Sequence, residues 1–457
     1  MDIGPSPARR GPGGSGLRRE LGLASAVLLV VGGIIGSGIF FTPSQVAASL
    51  DRPSLILGMW VLAGAVAMAG ALTFGELGAM LPEAGGPYVY IREAFGPLPA
   101  FLHGWMILLM IASGAIAAVA LSFGNYLGQF VPTGAVGGPM GAAAITIAGV
   151  TALNVLGVRP GTAAANAFTA AKLAVLGGLI VAGLLLVPRG PLPAAAATLG
   201  AAPPLAAGLA TAFVAVLFTI GGWQQTSMVA GEIRDPGKTL PRALALGVVV
   251  VIVVYAGANV AYLNALGRDG LAASDAAAAD SARRLLGDAG ASVITAGAML
   301  SIFGFVNVAL LANARVLYAL GRDGTLLGFA ARVHPRFGSP HVALVLLGAW
   351  SLVLLFATRG SLGALLSGVV FADWVFFGLA ASAVFRLRAV QPGRARPYRV
   401  VGYPWLPAAF VVCAAAGVAS AWISAPRMSL AGSAMLAAGA LLYRWRSTAM
   451  AAKSSAR

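Results

Sequence analysis

Apolar stretches of about twenty residues, nearly free of charge, recur from residue 22 to residue 444, and no other feature constrains the fold as strongly. About 20 apolar residues in a helix cross the hydrocarbon core of a bilayer. A helix suits that setting because it satisfies its backbone N–H and C=O groups internally. The pattern predicts twelve spans, at roughly 22–47, 54–80, 98–123, 140–158, 162–187, 205–230, 241–265, 288–320, 341–357, 361–385, 403–423 and 428–444. Turn signals separate them at Gly137-Gly138-Pro139, Arg159-Pro160-Gly161, Asp235-Pro236-Gly237 and Gly338-Ser339-Pro340. Hydrophobic residues make up 59% of the chain and charged residues 10%, against about half and about a quarter in globular chains. This excludes a disordered chain, a nucleic-acid-binding domain and an ordinary cytosolic enzyme. The expected class is an all-α polytopic membrane protein.

The net charge of +16 is carried in short segments between the apolar runs. With the N-terminus placed in the cytoplasm, 22 of the 30 basic residues fall on inner segments and inner span ends, 7 on outer ones, and Lys172 alone in mid-span. That excess predicts cytoplasmic N- and C-termini in a cell inner (plasma) membrane, with membrane lipids as partners and no nucleic acid. The first run follows Arg18-Arg19, is too long for a signal peptide and has no small-residue cleavage site after it. Residues 1–16 read as a flexible Gly-, Pro- and Ser-rich tail. One cysteine, Cys413, excludes a disulfide scaffold and a Cys-based zinc site, and His103, His334 and His341 lack metal-helix spacing. No metal, cofactor or ATP-binding phosphate loop is expected.

Two spans carry breaks. Span 1 contains Gly32-Gly33-Ile34-Ile35-Gly36-Ser37-Gly38-Ile39-Phe40, and span 6 contains Phe218-Thr219-Ile220-Gly221-Gly222-Trp223-Gln224-Gln225. Glycine is a poor helix former, and backbone freed in lipid persists only where it meets a cavity or ligand. Gly32-x₃-Gly36 alone is equally a helix-packing motif. A second break about 185 residues and five spans later turns the reading towards a transporter site at the junction of two repeats. Five is odd, so the second repeat is inverted relative to the first.

Gly33-Ile34-Ile35-Gly36-Ser37-Gly38-Ile39-Phe40 resembles the span 1 signature of amino acid–polyamine–organocation superfamily permeases. Phe218 to Gln225 resembles the span 6 signature of their L-type amino acid transporter branch, and Gly231 to Arg242 the loop that follows it. Gly75-Glu76-Leu77, Pro82 to Tyr88, Arg322-Asp323-Gly324, Arg396-Pro397-Tyr398 and Gly402-Tyr403-Pro404-Trp405 also match, in order, so that the resemblance covers residues 20–445. It implies a LeuT-type fold with twelve transmembrane helices, 5+5 inverted repeats and two peripheral helices. The expected organisation is a cytoplasmic tail (1–20), spans 1–5 (21–200), spans 6–10 (201–388), spans 11–12 (389–445) and a cytoplasmic C-terminal tail (446–457). The implied activity is carrier-mediated transport of amino acids or related amines, often by exchange, and not an enzyme reaction.

A free amino acid offers a carboxylate and an ammonium. Helix N-termini attract anions, so the N–H groups of Gly36, Ser37 and Gly38, with the Ser37 hydroxyl, are assigned to the carboxylate. Carbonyls of Ile34, Phe218, Thr219 and Gly221 are assigned to the ammonium; all these positions match the family motif. Phe218 falls where the family places an aromatic gate, although core or lipid-facing packing also suits it. Trp223 reads as packing, and Gln224 as a contact to substrate or to a neighbouring half-helix.

Lys172 is expected to lie deep in span 5, where a charge is costly and points to function rather than snorkelling. The resemblance implies that its ammonium stands where sodium-coupled relatives bind sodium, and hence sodium-independent transport. Asp373 lies mid-way along span 10 and departs from the family pattern, which more often has an uncharged polar residue there. A proton site, a pair with Lys172, a contact to a basic or hydroxylated substrate, and an interhelical structural carboxylate all remain open for it.

Glu76, Glu232 and Asp235 are expected to form inner gate or folding pairs near Arg92, Arg234 and Arg322. Asn307 and Asn313 are expected to bond between helices, and His103 to be interfacial. Residues 124–139 contain no cysteine, whereas animal L-type members use one there to join a glycoprotein, so no disulfide-linked heavy subunit is expected. The first functional reading is a secondary permease or exchanger of L-amino acids working by alternating access. A proton-coupled polyamine or organic-cation carrier is the alternative. An ion channel fits less well, because the Ala-, Val- and Leu-rich spans lack a continuous polar lining, and no metalloprotease motif supports an intramembrane enzyme.

Overall fold

The computed structural model describes residues 19–128, 130–186, 204–274, 276–324, 328–360, 362–424 and 426–455. The expected tail at 1–16, outer-segment Arg189 and the repeat boundary at 200/201 lie outside them. The helices run in order α1 (Leu23–Ile34), α2 (Gly38–Ser49), α3 (Pro53–Met80), α4 (Pro87–Phe95), α5 (Pro97–Met106), a π-helical turn (Ile107–Ile111), α6 (Ala112–Leu127), α7 (Gly138–Val155) and α8 (Val158–Leu185). There follow α9 (Leu205–Ile220), α10 (Gln225–Met228), α11 (Pro236–Ala272), α12 (Ala277–Leu286), α13 (Asp288–Arg322), α14 (His341–Ala357), α15 (Leu362–Val390), α16 (Trp405–Ser424) and α17 (Pro426–Ser455). Among the described residues, eight helices are long and apolar enough to cross a membrane, or nine if the bent pair α1–α2 counts as one span. α14 is apolar but only 17 residues long.

The breaks between helices follow local chemistry. α3, α4, α5 and α11 carry proline in their first turn, where its missing N–H costs nothing. Gly157 (φ 125°) makes the tight α7–α8 turn. α11 runs past the expected end at 265 but leaves helical geometry at Gly267 (φ 68°). Two short helices outside the spans, α4 and α12, escaped the hydropathy reading because neither is a long apolar run.

α1 packs against α8, α11 and α13, and α2 against α9 and α11. Small residues permit this closeness. A Cβ on Gly32 would meet Thr169 Oγ1 at 2.5 Å, and one on Gly247 would meet Val30 at 2.5 Å. At one end of the bundle the chain before α1 is pinned to the segment after α10. Glu20 and Leu21 each donate a backbone N–H to Glu232 O at 2.9 Å, and Arg234 N–H donates to Leu21 O at 2.9 Å.

The ion pairs differ from expectation in their partners. Glu76 accepts from Arg388 (2.8 and 2.6 Å) and also pairs with Arg396, not Arg92. Glu232 pairs with Arg315 at 2.9 Å, with side-chain exposures of 0% and 1%. Lys172 is therefore not alone as a buried basic residue. Arg92 instead joins Asp323, Glu83 and Glu93. The Tyr88 hydroxyl donates to Asp323 at 2.6 Å, and burial together with that bond raises its phenol far above the ordinary value. Asn307 does bond between helices, donating to Gly161 O (2.8 Å) and accepting from Asn154 (2.8 Å). Asn313 donates only to Ala309 O in its own helix. His103 is buried beside Phe376.

Candidate functional site

The first break separates α1 from α2, whose axes differ by 43°. Ile35 leaves helical geometry (φ −76°, ψ 89°), and Gly36 N–H turns back to Ile34 O at 2.9 Å. The Gly36 amide assigned to a carboxylate is thus engaged. The N–H groups of Ser37 and Gly38, at the start of α2, and the Ser37 hydroxyl have no acceptor among the described residues. The second break follows Ile220. Gly221 N–H donates to Phe218 O at 3.3 Å, Gly222 adopts φ 107°, and its N–H donates to Gln224 Oε1 at 3.0 Å. The Gln224 side chain therefore serves the break itself. Trp223 packs edge-on against Phe74 with ring centroids 4.9 Å apart, as a core residue.

The two breaks meet. A Cβ on Gly33 would lie 2.7 Å from Gly222 O, and one on Gly38 would lie 2.7 Å from Thr219 Cγ2. The Tyr255 hydroxyl of α11 sits between them, 3.2 Å from both Ile34 O and Thr219 O. It has one proton and so serves one carbonyl at a time. Thr219 Oγ1 also bonds Thr42 Oγ1 at 2.8 Å. Sequence reading missed Tyr255, since a lone tyrosine in an apolar span carries no signal.

A cavity opens against both breaks. Ile34, Gly36, Ser37, Gly38, Phe218, Thr219, Gly221 and Gln224, the eight positions proposed from the sequence, all line it. Asp373 lines it from α15 together with Trp374 and Phe377. Phe305, whose Cδ2 would lie 3.0 Å from a Cβ on Gly36, closes the α13 side with Asn313. Ile107 and Ile111, on the π-helical turn, line it too, together with Ala112, Ala115 and Val119 of α6. Such turns recur at functional sites, and no residue pattern announced this one.

Lys172 lies behind the cavity, fully buried. Its ammonium donates to Ile35 O, to Gly32 O at 3.3 Å and to Ser301 O at 3.5 Å. The Ser301 hydroxyl donates to the same region, at 3.2 Å from Ile35 O and 3.0 Å from Gly36 O. Carbonyls freed by the span 1 break thus receive a cation from α8 and a hydroxyl from α13. Lys172 and Asp373 do not form an ion pair; among the described residues no donor reaches the Asp373 carboxylate.

Comparison with known proteins agrees with this geometry. A family model described as amino acid permease matches residues 21–443. The chain is 31% identical over 389 residues to b(0,+)-type amino acid transporter 1 of Mus musculus, covering 84% of this chain and 79% of that protein. It is 34% identical over 402 residues to Large neutral amino acids transporter small subunit 2 of Homo sapiens, covering 86% of this chain and 74% of that protein. With two opened helices meeting at a cavity and a match across nearly its whole length, the chain belongs to the amino acid permease family of multi-pass membrane transporters.

Proposed function

We propose that this protein is a secondary carrier of L-amino acids that works by alternating access. In this reading twelve spans form two inverted repeats of five plus two peripheral helices, with both termini cytoplasmic in the plasma membrane. The observation that carries the reading is the pair of apposed breaks. The unbonded N–H groups of Ser37 and Gly38 and the Ser37 hydroxyl take the substrate carboxylate. The carbonyls of Ile34, Phe218, Thr219 and Gly221 surround the ammonium, and Phe218 forms the gate. Gly36 N–H joins the carboxylate site only by releasing Ile34 O, which frees that carbonyl for the ammonium at the same moment.

Lys172 supports sodium independence. Its ammonium already donates hydrogen bonds to the carbonyls that a bound cation would need. The one thiol, Cys413, lies half-buried on α16, and the carrier is proposed to act without a disulfide-linked heavy subunit. The test is uptake into proteoliposomes of the purified chain, screened across amino acids with and without internal substrate, in sodium and in choline buffer. Equal uptake in both buffers is expected; loss of uptake in choline refutes the role given to Lys172.

A further inference from the structure

The cavity wall carries one charged side chain among the described residues, Asp373. Its neighbours in the chain, Ala372 and Trp374, are 0% and 3% exposed, whereas Asp373 itself keeps partial exposure, on the face of α15 that lines the cavity. Val369, Asp373 and Phe377 are spaced four apart on that face, so the carboxylate sits on the middle rung. Glu76 and Glu232, by contrast, are both paired with arginine. Asp373 is therefore unlike the acids that bind helices together. A carboxylate held at membrane depth without a partner is costly, and a ligand that brings a cation removes that cost.

A second polar group points to the same kind of ligand. Asn313 lines the cavity from α13, and one of its two amide N–H groups donates to Ala309 O at 2.9 Å. Its Oδ1 accepts no hydrogen bond among the described residues. Both groups offer acceptor oxygens, Asn313 a second N–H besides, and neither suits an aliphatic side chain. The main-chain ends of an amino acid are assigned to the two breaks, and Asp373 and Asn313 line the same cavity from α15 and α13, away from the breaks in the chain.

We propose that Asp373 is the specificity-determining residue of this cavity, and that the substrates it selects are α-amino acids with a cationic side chain. This rests on the permease reading above. The α-carboxylate and α-ammonium lie at the breaks while the side-chain cation pairs with Asp373, with Asn313 Oδ1 as a further acceptor. Nothing else charged lines the described cavity, so removing this carboxylate leaves the cation with no counter-charge.

The experiment compares L-lysine with L-norleucine, which replaces the terminal ammonium by a methyl group, in proteoliposomes of the full chain. Putrescine, which lacks a carboxylate, is the third probe. Wild-type protein is expected to take up lysine in clear preference to norleucine and putrescine. Asp373→Asn is expected to lower the lysine-to-norleucine uptake ratio at least about thirtyfold, as for loss of one member of a desolvated charge pair. Asp373→Glu is expected to restore part of that preference. Wild-type uptake of norleucine but not lysine overturns the inference and leaves the permease reading standing, and needs no variant to fold. Transport of putrescine with no amino acid transported overturns the permease reading and the inference with it. An unchanged lysine-to-norleucine ratio in folded Asp373→Asn, monodisperse on gel filtration, also overturns the inference.

Discussion

The apposition of the two breaks makes Gly222→Ala the most informative backbone change. Gly222 has φ 107°, a conformation that L side chains avoid at a cost of about 1–2 kcal/mol. The added Cβ would fall inside contact distance of the Gly33 carbonyl oxygen and 3.3 Å from Ile34 N. Forcing a methyl group into such a packed contact costs a further ~1–3 kcal/mol. The neighbours here are main-chain atoms, so relief requires the two half-helices to separate. The expected total is about 2–5 kcal/mol, a large share of a typical stability of about 5–15 kcal/mol. If it falls on the bound geometry instead, affinity drops by at least about tenfold for each 1.4 kcal/mol. The assays are thermal unfolding in detergent and amino acid uptake in proteoliposomes. Gly177→Ala is the control, because nothing lies within 4 Å of a Cβ there and alanine is the better helix former. Wild-type stability and uptake in Gly222→Ala would refute the apposition of the breaks.

Two further substitutions test the buried charges. Lys172→Ala leaves Gly32 O without its ammonium donor, at about 1–3 kcal/mol for an orphaned group, and leaves Ile35 O with the Ser301 hydroxyl alone. Uptake is expected to fall at least about tenfold, with the protein still monodisperse on gel filtration; retained uptake refutes the role. Arg315→Ala strands the buried Glu232 carboxylate, at about 3–5 kcal/mol. The double variant Arg315→Met, Glu232→Leu is expected to unfold at a higher temperature than Arg315→Ala, since no unpaired charge then stays buried. An equally unstable double variant would show that shape, not charge, holds that end of the bundle.

Much of this protein is legible in its residue order because the membrane imposes one rule on every span. Hydropathy locates α3, α9 and α13 closely, since a helix that must satisfy its own backbone leaves an apolar signature about twenty residues long. The Gly-rich breaks are visible for the same reason: Gly36-Ser37-Gly38 and Gly221-Gly222 interrupt otherwise uniform helix formers. All eight positions drawn from these two motifs line the cavity.

Tertiary structure decided what lies between distant segments. Nothing local told that Glu76 would choose Arg388, or that Glu232 would choose Arg315 rather than Arg234, because a long arginine reaches several carboxylates and packing selects one. Tyr255 became a bridge between the breaks only when α11 crossed them, and Gln224 turned inward to its own backbone. Asp373 was conspicuous as a charge in an apolar run, yet its separation from Lys172 depends on which helix faces meet. Apolar length and glycine placement are properties of single segments and are written along the chain. The partner of a polar group is a property of two segments, and folding alone brings them together.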